Sequence, residues 1–180
     1  MASSSFEIKE LGLPGVLLIQ LKRFDDTRGF FMETFHQGAL AAAGIIQTFV
    51  QDNLSSSKKN VLRGLHFQTA PHAQAKLVRC ISGEIYDVVA DHNLDSSTFG
   101  KSIRVTLSGD TPTMLYIPAI YAHGFYVLSH EALVEYKVDN YYHPESASGV
   151  RYNDPVFNIA WPSSDPVLSE QDKTWPLITV

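Results

Sequence analysis

The chain has 180 residues, 44% of them hydrophobic and 18% charged, and a formal net charge of −5. This supports one well-formed core, and the lack of any basic run argues against a nucleic-acid partner. A single cysteine, Cys80, excludes an internal disulfide, and no apolar run reaches membrane-spanning length.

In chain order, residues 1–5 are polar and expected to be loose. They lack the apolar core of a signal peptide, so the expected location is the cytoplasm. Residues 16–21 follow a Pro14-Gly15 turn signal and read as a first strand. Residues 24–29 read as a loop and 30–35 as a second strand. Residues 37–43 are alanine-rich, with Gly44 as a stop, and read as a short helix. Residues 48–53 read as a strand in which Gln51 and Asn53 face the same way. A polar loop over 55–60 leads into Val61-Leu62-Arg63-Gly64-Leu65-His66-Phe67-Gln68, which reads as a strand. Short apolar runs follow at 76–81, 84–90, 102–107, 114–117, 123–128 and 132–138, with turn signals between them. This spacing predicts an all-β fold, an antiparallel sandwich or barrel in a single domain over 1–180. From residue 144 the chain is punctuated by Pro155, Pro162, Pro166 and Pro176. That segment is expected to wrap the barrel, with one helical turn capped by Ser169.

The stretch around His66 gathers a guanidinium, a glycine, an imidazole and an amide within six residues. On a regular strand Arg63 and His66 face opposite ways, and a bend at Gly64 would bring both to one cavity. A histidine in a strand is more often a hydrogen-bonded core residue than a catalyst, and the same alternative holds for His123. His36, His72, His92, His130 and His143 fall in loops or at element ends, where surface roles are the default. Cys80 lies in an apolar strand and reads as an inert buried thiol. Small barrels often bind a metal through two histidines one residue apart. Here Gln68 occupies the second position and no His-x-His occurs, so no metal or other cofactor is expected. Tyr136 shares a face with Val134 and Val138 and should point inward, either as packing or as a general acid.

Several segments, in order, closely resemble the dTDP-4-dehydrorhamnose 3,5-epimerases, a family of cupin-type sugar-nucleotide epimerases. They are Asp26–Glu33, Phe49–Asn53, Asn60–Gln68, Gln74–Arg79, Asp87–Asp91, Ser97–Gly100, Ala122–Phe125, Tyr136–Lys137, Tyr141–Tyr142, Trp161–Pro162 and Leu168–Asp172. The resemblance implies a dimeric, metal-free jelly roll acting on dTDP-4-dehydro-6-deoxy-D-glucose. It makes His66 the base, Asp172 its partner, Tyr136 the acid and Lys76 the stabiliser of an enolate oxygen. Arg28, Glu33, Gln51, Asn53, Arg63, His123 and Tyr141 become substrate-binding residues, with the Arg28 segment reaching a neighbouring subunit. The residue types suit the chemistry, since a ketone at C4 acidifies the protons at C3 and C5. A base titrating near neutrality, a fixed positive charge and a phenol protonated at pH 7 are what such a reaction needs. The chain departs from the family pattern at His92-Asn93, Ile120-Tyr121 and Gln171. These departures leave two other readings open, an enzyme inverting only one carbon and a non-catalytic sugar-nucleotide-binding barrel.

Overall fold

A computed structural model describes residues 6–179. Thirteen strands and two short helices appear in the order β1 (Phe6–Glu10), β2 (Leu17–Leu21), β3 (Arg23–Asp26), β4 (Gly29–Met32), α1 (Gln37–Ala42), β5 (Gln51–Lys58), β6 (Leu62–Gln68), β7 (Lys76–Ser82) and β8 (Glu84–Ala90). They continue with β9 (Ser102–Ser108), β10 (Thr113–Ile117), β11 (Ala122–Val127), β12 (Glu131–Val138), β13 (Ala147–Gly149) and α2 (Glu170–Thr174). The six-stranded sheet β1-β2-β10-β7-β12-β5 faces the five-stranded sheet β13-β6-β11-β8-β9, and β3-β4 forms a separate hairpin. Every pairing within the sheets is antiparallel, as the spacing of the apolar runs predicts. The fold is a cupin-like jelly roll. Among the described residues no helix is long and apolar enough to cross a membrane. The expectation for residues 1–5 falls outside the described residues.

The core between the sheets follows from alternation. Along β12, Ala132, Val134 and Val138 are buried, and the first two pack with Val78 and Cys80 of β7 and Ile85 and Val89 of β8. Burying such side chains removes them from water at roughly 1.5–3 kcal/mol each, which is what holds the sheets face to face. Cys80 is buried, and desolvation pushes its thiol up to about 11, in keeping with an inert role. Helix α1 buries only Leu40. His36 caps it by accepting from the Ala39 N–H, and Gly44 ends it at φ +92°.

Three elements differ from the sequence reading. Residues 55–58 belong to β5, because β12 pairs with it over eight residues and satisfies its backbone groups. The serines there gave no apolar alternation, since Ser55 faces a cavity and the buried Ser57 hydroxyl accepts from Arg63 Nε. Residues 23–26 are a strand rather than a loop, folded onto 29–32 through a tight turn in which Gly29 has φ +126°. Phe6–Glu10 forms an edge strand that its charged residues concealed.

Val167 exchanges backbone hydrogen bonds with Asn60 and Leu62, and the Ile178 N–H donates to the Asp154 carboxylate. Helix α2 is capped as expected, with Ser169 Oγ accepting from the Asp172 N–H at 3.1 Å.

Strand β6 carries the irregularity on which the site depends. His123 pairs with His66, but Phe125 pairs with Arg63, so three steps of β6 match two of β11. The extra residue shifts the alternation and sends Arg63 and His66 to the same cavity. Gly64 supplies the bend at φ +137°, next to a cis Gly64–Leu65 peptide. A Cβ at Gly64 would lie 2.5 Å from Gly124 Cα, so the strands meet through facing glycines. Gly64→Ala should therefore lower the unfolding free energy by at least about 2 kcal/mol, read from urea titration. A variant of wild-type stability would refute this account of the bulge.

Candidate active site

A cavity of about 260 Å³ opens between the two sheets. The five-stranded sheet contributes Arg63, His66 and His123, and the six-stranded sheet contributes Ser55, Lys76 and Tyr136. Its rim carries Gln171 and Trp175 from the tail. An imidazole and a phenol thus stand on facing sheets across one volume.

His66 Nε2 lies 2.5 Å from Asp172 Oδ1. The imidazole is 42% exposed toward the cavity, whereas the carboxylate is 4% exposed. An ionised carboxylate only accepts, so Nε2 carries the hydrogen and the lone pair is on Nδ1. Asp172 is itself fixed. Its Oδ2 accepts from Ser169 Oγ at 2.8 Å, and its Oδ1 accepts from Trp175 Nε1 at 3.3 Å. Burial pushes the Asp172 carboxyl up, but the His66 hydrogen bond and charge, with Ser169 and Trp175, together hold it below its ordinary value. Trp175 also meets the His66 ring edge-on at 6.2 Å.

Lys76 is buried, and its ammonium donates to the His66 carbonyl at 3.1 Å. Desolvation pulls its pKa down to about 8, against the opposing pull of the Asp87 carboxylate. Asp87 is fully buried and holds His123, with Nε2 2.9 Å from each carboxylate oxygen. A second imidazole–carboxylate pair thus stands beside the first. Burial raises the Tyr136 phenol, partly offset by the Arg63 charge. Among the described residues its hydroxyl has no hydrogen-bond partner, unlike that of an ordinary packed tyrosine. Arg63 is braced by Ser57 Oγ at 2.9 Å.

The five residues His66, Tyr136, Lys76, Arg63 and His123 therefore converge on the cavity, with Asp172 directly behind His66. The other sequence candidates do not line it. Gln51 and Asn53 share a face of β5, as alternation requires, and are joined by a 2.9 Å hydrogen bond. Tyr142, not Tyr141, lines the cavity, while Tyr141 is 61% exposed. Arg28 sits at the tip of the β3-β4 hairpin, paired with Asp26, and Glu33 follows that hairpin. The hairpin presents Phe24, Phe30 and Phe31 to solvent.

Gln68 lines the cavity, but its amide is spent on the backbone. Nε2 donates to the carbonyls of His72 and Tyr141, and Oε1 accepts from the His143 N–H.

Two contributors escaped the sequence reading, and a third was not told apart from its neighbour. Asp87 is a carboxylate inside the apolar stretch 85–90, which is itself a signal, since a buried charge needs a partner. Trp175 lies three residues after Asp172, as the C-cap of α2, and its Nε1 donates back to that carboxylate. Tyr142 is separated from Tyr141 only by the turn of the chain there.

Comparison with known proteins follows the same lines. The family model described as dTDP-4-dehydrorhamnose 3,5-epimerase matches residues 10–179. The Shigella flexneri dTDP-4-dehydrorhamnose 3,5-epimerase is 48% identical over 161 residues, covering 89% of each chain. The crystal structure of the Legionella pneumophila dTDP-6-deoxy-D-glucose-3,5-epimerase in complex with dTDP-4-keto-L-rhamnose superposes with a TM-score of 0.92 at 42% identity. That match covers 96% of this chain and 92% of the other. The Bacillus anthracis enzyme, with TDP and PPi bound, gives a TM-score of 0.93 at 40% identity, covering 96% of this chain and 99% of its own.

The Asp172 environment has a consequence for stability. Its folded pKa lies below an unfolded value of about 3.9, so the unfolded chain takes up the proton first as pH falls. The pair stabilises the fold above about pH 4, and this is lost as pH drops through the folded pKa. Asp172→Asn should flatten that acid-side fall in urea titrations, and a slope equal to that of the wild type would assign it elsewhere.

Proposed function

Because the chain belongs to the dTDP-4-dehydrorhamnose 3,5-epimerase family, we propose that it inverts C3 and C5 of dTDP-4-dehydro-6-deoxy-D-glucose, with His66 as base and Tyr136 as acid. The product is dTDP-4-dehydro-L-rhamnose. The enzyme is an isomerase, and the reaction is redox-neutral. The observation that carries the residue roles is the placement of an imidazole and an unpartnered phenol on facing walls of one cavity.

His66 removes the proton at C3 or C5, and the electron pair moves onto the C4 carbonyl to give an enolate. Asp172 keeps the lone pair on Nδ1 and stabilises the imidazolium that forms. Lys76 offsets the charge developing on the oxygen, where a preorganised ammonium in a buried site has most effect. Tyr136 then delivers its proton to the opposite face of the carbon. Each inversion leaves His66 with one proton more and Tyr136 with one fewer, so proton return through solvent closes the cycle. Arg63, by charge, and His123, held by Asp87, contact the substrate. Proton transfer at the reacting carbons uses His66 and Tyr136. Gln68, at the position of a barrel metal ligand, already has both ends of its amide bonded to the backbone.

The remaining candidates fit an assembled dimer. The β3-β4 hairpin exposes three phenylalanines with Arg28 at its tip, the composition of an arm seated on a second copy. In that arrangement Arg28 and Glu33 serve the partner's site, while Gln51, Asn53 and Tyr141 complete the nucleotide end. Residues 1–180 act as one domain, with the tail from residue 144 supplying Asp172. A single buried thiol suits the reducing cytoplasm.

Incubation with the 4-keto-6-deoxy substrate in heavy water tests the reading directly. Deuterium should enter at both C3 and C5. Label at one carbon would instead identify a single-position epimerase, and binding without label a non-catalytic protein. His66→Ala should reduce exchange at both carbons by about 10²–10⁴-fold. Tyr136→Phe should retain some exchange yet fail to invert.

Lys76 acts only while protonated, so turnover should fall as pH rises through about 8. Lys76→Arg, cationic at every accessible pH, should keep residual activity without that alkaline limb. A limb unmoved in this variant would tie it to another group.

A further inference from the structure

Beside the cavity mouth, two loops are zipped together. One follows β6 and carries His72, and the other follows β12 and carries His143 and Glu145. Gln68 bonds both, Gln74 Nε2 donates to the Asn140 carbonyl at 2.7 Å, and Asn140 Nδ2 donates to the Pro71 carbonyl at 3.3 Å. At the outer end of this zipper the His72 and His143 rings stack, with centroids 3.5 Å apart and planes inclined by 17°. Glu145 Oε1 lies 2.9 Å from His143 Nδ1.

From this arrangement we infer a divalent metal site formed by His72, His143 and Glu145, distinct from the catalytic groups and stapling the two loops at the cavity rim. One ligand atom from each residue lies within 4.8 Å of the others. A tetrahedral ion with bonds of about 2.1 Å needs ligands about 3.4 Å apart, a difference that side-chain rotation closes. Among the described residues, His72 has no hydrogen bond to either ring nitrogen. His143 uses Nδ1, and among the described residues its Nε2 has no hydrogen bond. The Glu145 carboxyl is held below its ordinary value, first by a backbone hydrogen bond and then by its hydrogen bond with His143.

Two imidazoles and one carboxylate, with a fourth position open to water, select zinc and neighbouring late transition metals over magnesium or calcium. The backbones behind the ligands are already fixed by Gln68. The His143 N–H donates to it and the His72 carbonyl accepts from it, so the ion would find its ligands on a braced frame. The sequence reading gave His72 and His143 separate surface roles. Residues 71 apart in sequence meet only because the β6 and β12 loops do.

Titration of the chelator-stripped full chain with zinc chloride, followed by calorimetry, should give one strong site per chain and a raised unfolding temperature. Magnesium should give neither. His72→Ala and His143→Ala should each weaken zinc binding by at least about tenfold, and His66→Ala should leave it intact. Should His143→Ala fail to fold, His72→Ala decides, because the His72 ring makes no hydrogen bond. Absence of zinc binding, binding unchanged in His72→Ala, or binding lost in His66→Ala would each overturn the site.

Discussion

The contact between His66 and Asp172 joins residues 106 apart in sequence, one on a central strand and the other on the helix of the tail. Nothing else in the molecule depends so directly on the whole fold being complete. The carboxylate is buried, and its cost is met by donors from His66, Ser169 and Trp175 rather than by water. In the proposed reaction the placement of the tail is thus a condition of catalysis as well as of packing. A barrel lacking α2 would keep its imidazole but lose the group that fixes the tautomer.

The cavity wall sorts its ionisable groups by burial. Desolvation acts on Lys76, Tyr136 and Asp172 alike, yet it moves the amine down and the phenol up, and on the carboxylate it is overcome by donors. The result is a set of unlike groups around one volume, an ammonium that holds its proton less firmly than in water and a phenol that holds it more firmly. Such divergence is a common feature of sites that handle protons. His123 and Asp87 repeat the imidazole–carboxylate pairing one strand away, fully inside the barrel.

Other polar groups at the rim serve the scaffold. Gln68 and Gln74 face the cavity but are bonded to loop carbonyls, and they tie the segments after β6 and β12 together. His92, where the chain departs from the family pattern, stacks on Phe67 at 3.9 Å and backs the cavity wall. Desolvation lowers its pKa, and its buried Nδ1 has no partner. The departure therefore alters what lies behind the wall and leaves the proton-transfer groups untouched.

The sequence by itself determined the class of fold, most strand positions and the type of chemistry. Alternation, turn residues and the absence of His-x-His are local properties, written in consecutive residues. His66, Lys76, Tyr136 and Asp172 were legible through their ordered motifs. What the sequence concealed was any feature set by pairing between distant segments. Ser55–Lys58 becomes a strand because β12 lies beside it, and the apolar pattern says nothing there since the inward face meets a cavity. The placement of Arg63 and His66 on one wall required the register shift opposite β11, which no single strand encodes. Asp87 found His123, and His72 found His143, only when loops and strands far apart in the chain were folded together. Covalent order fixes which groups are available, and tertiary packing decides which of them meet and how strongly each holds its proton.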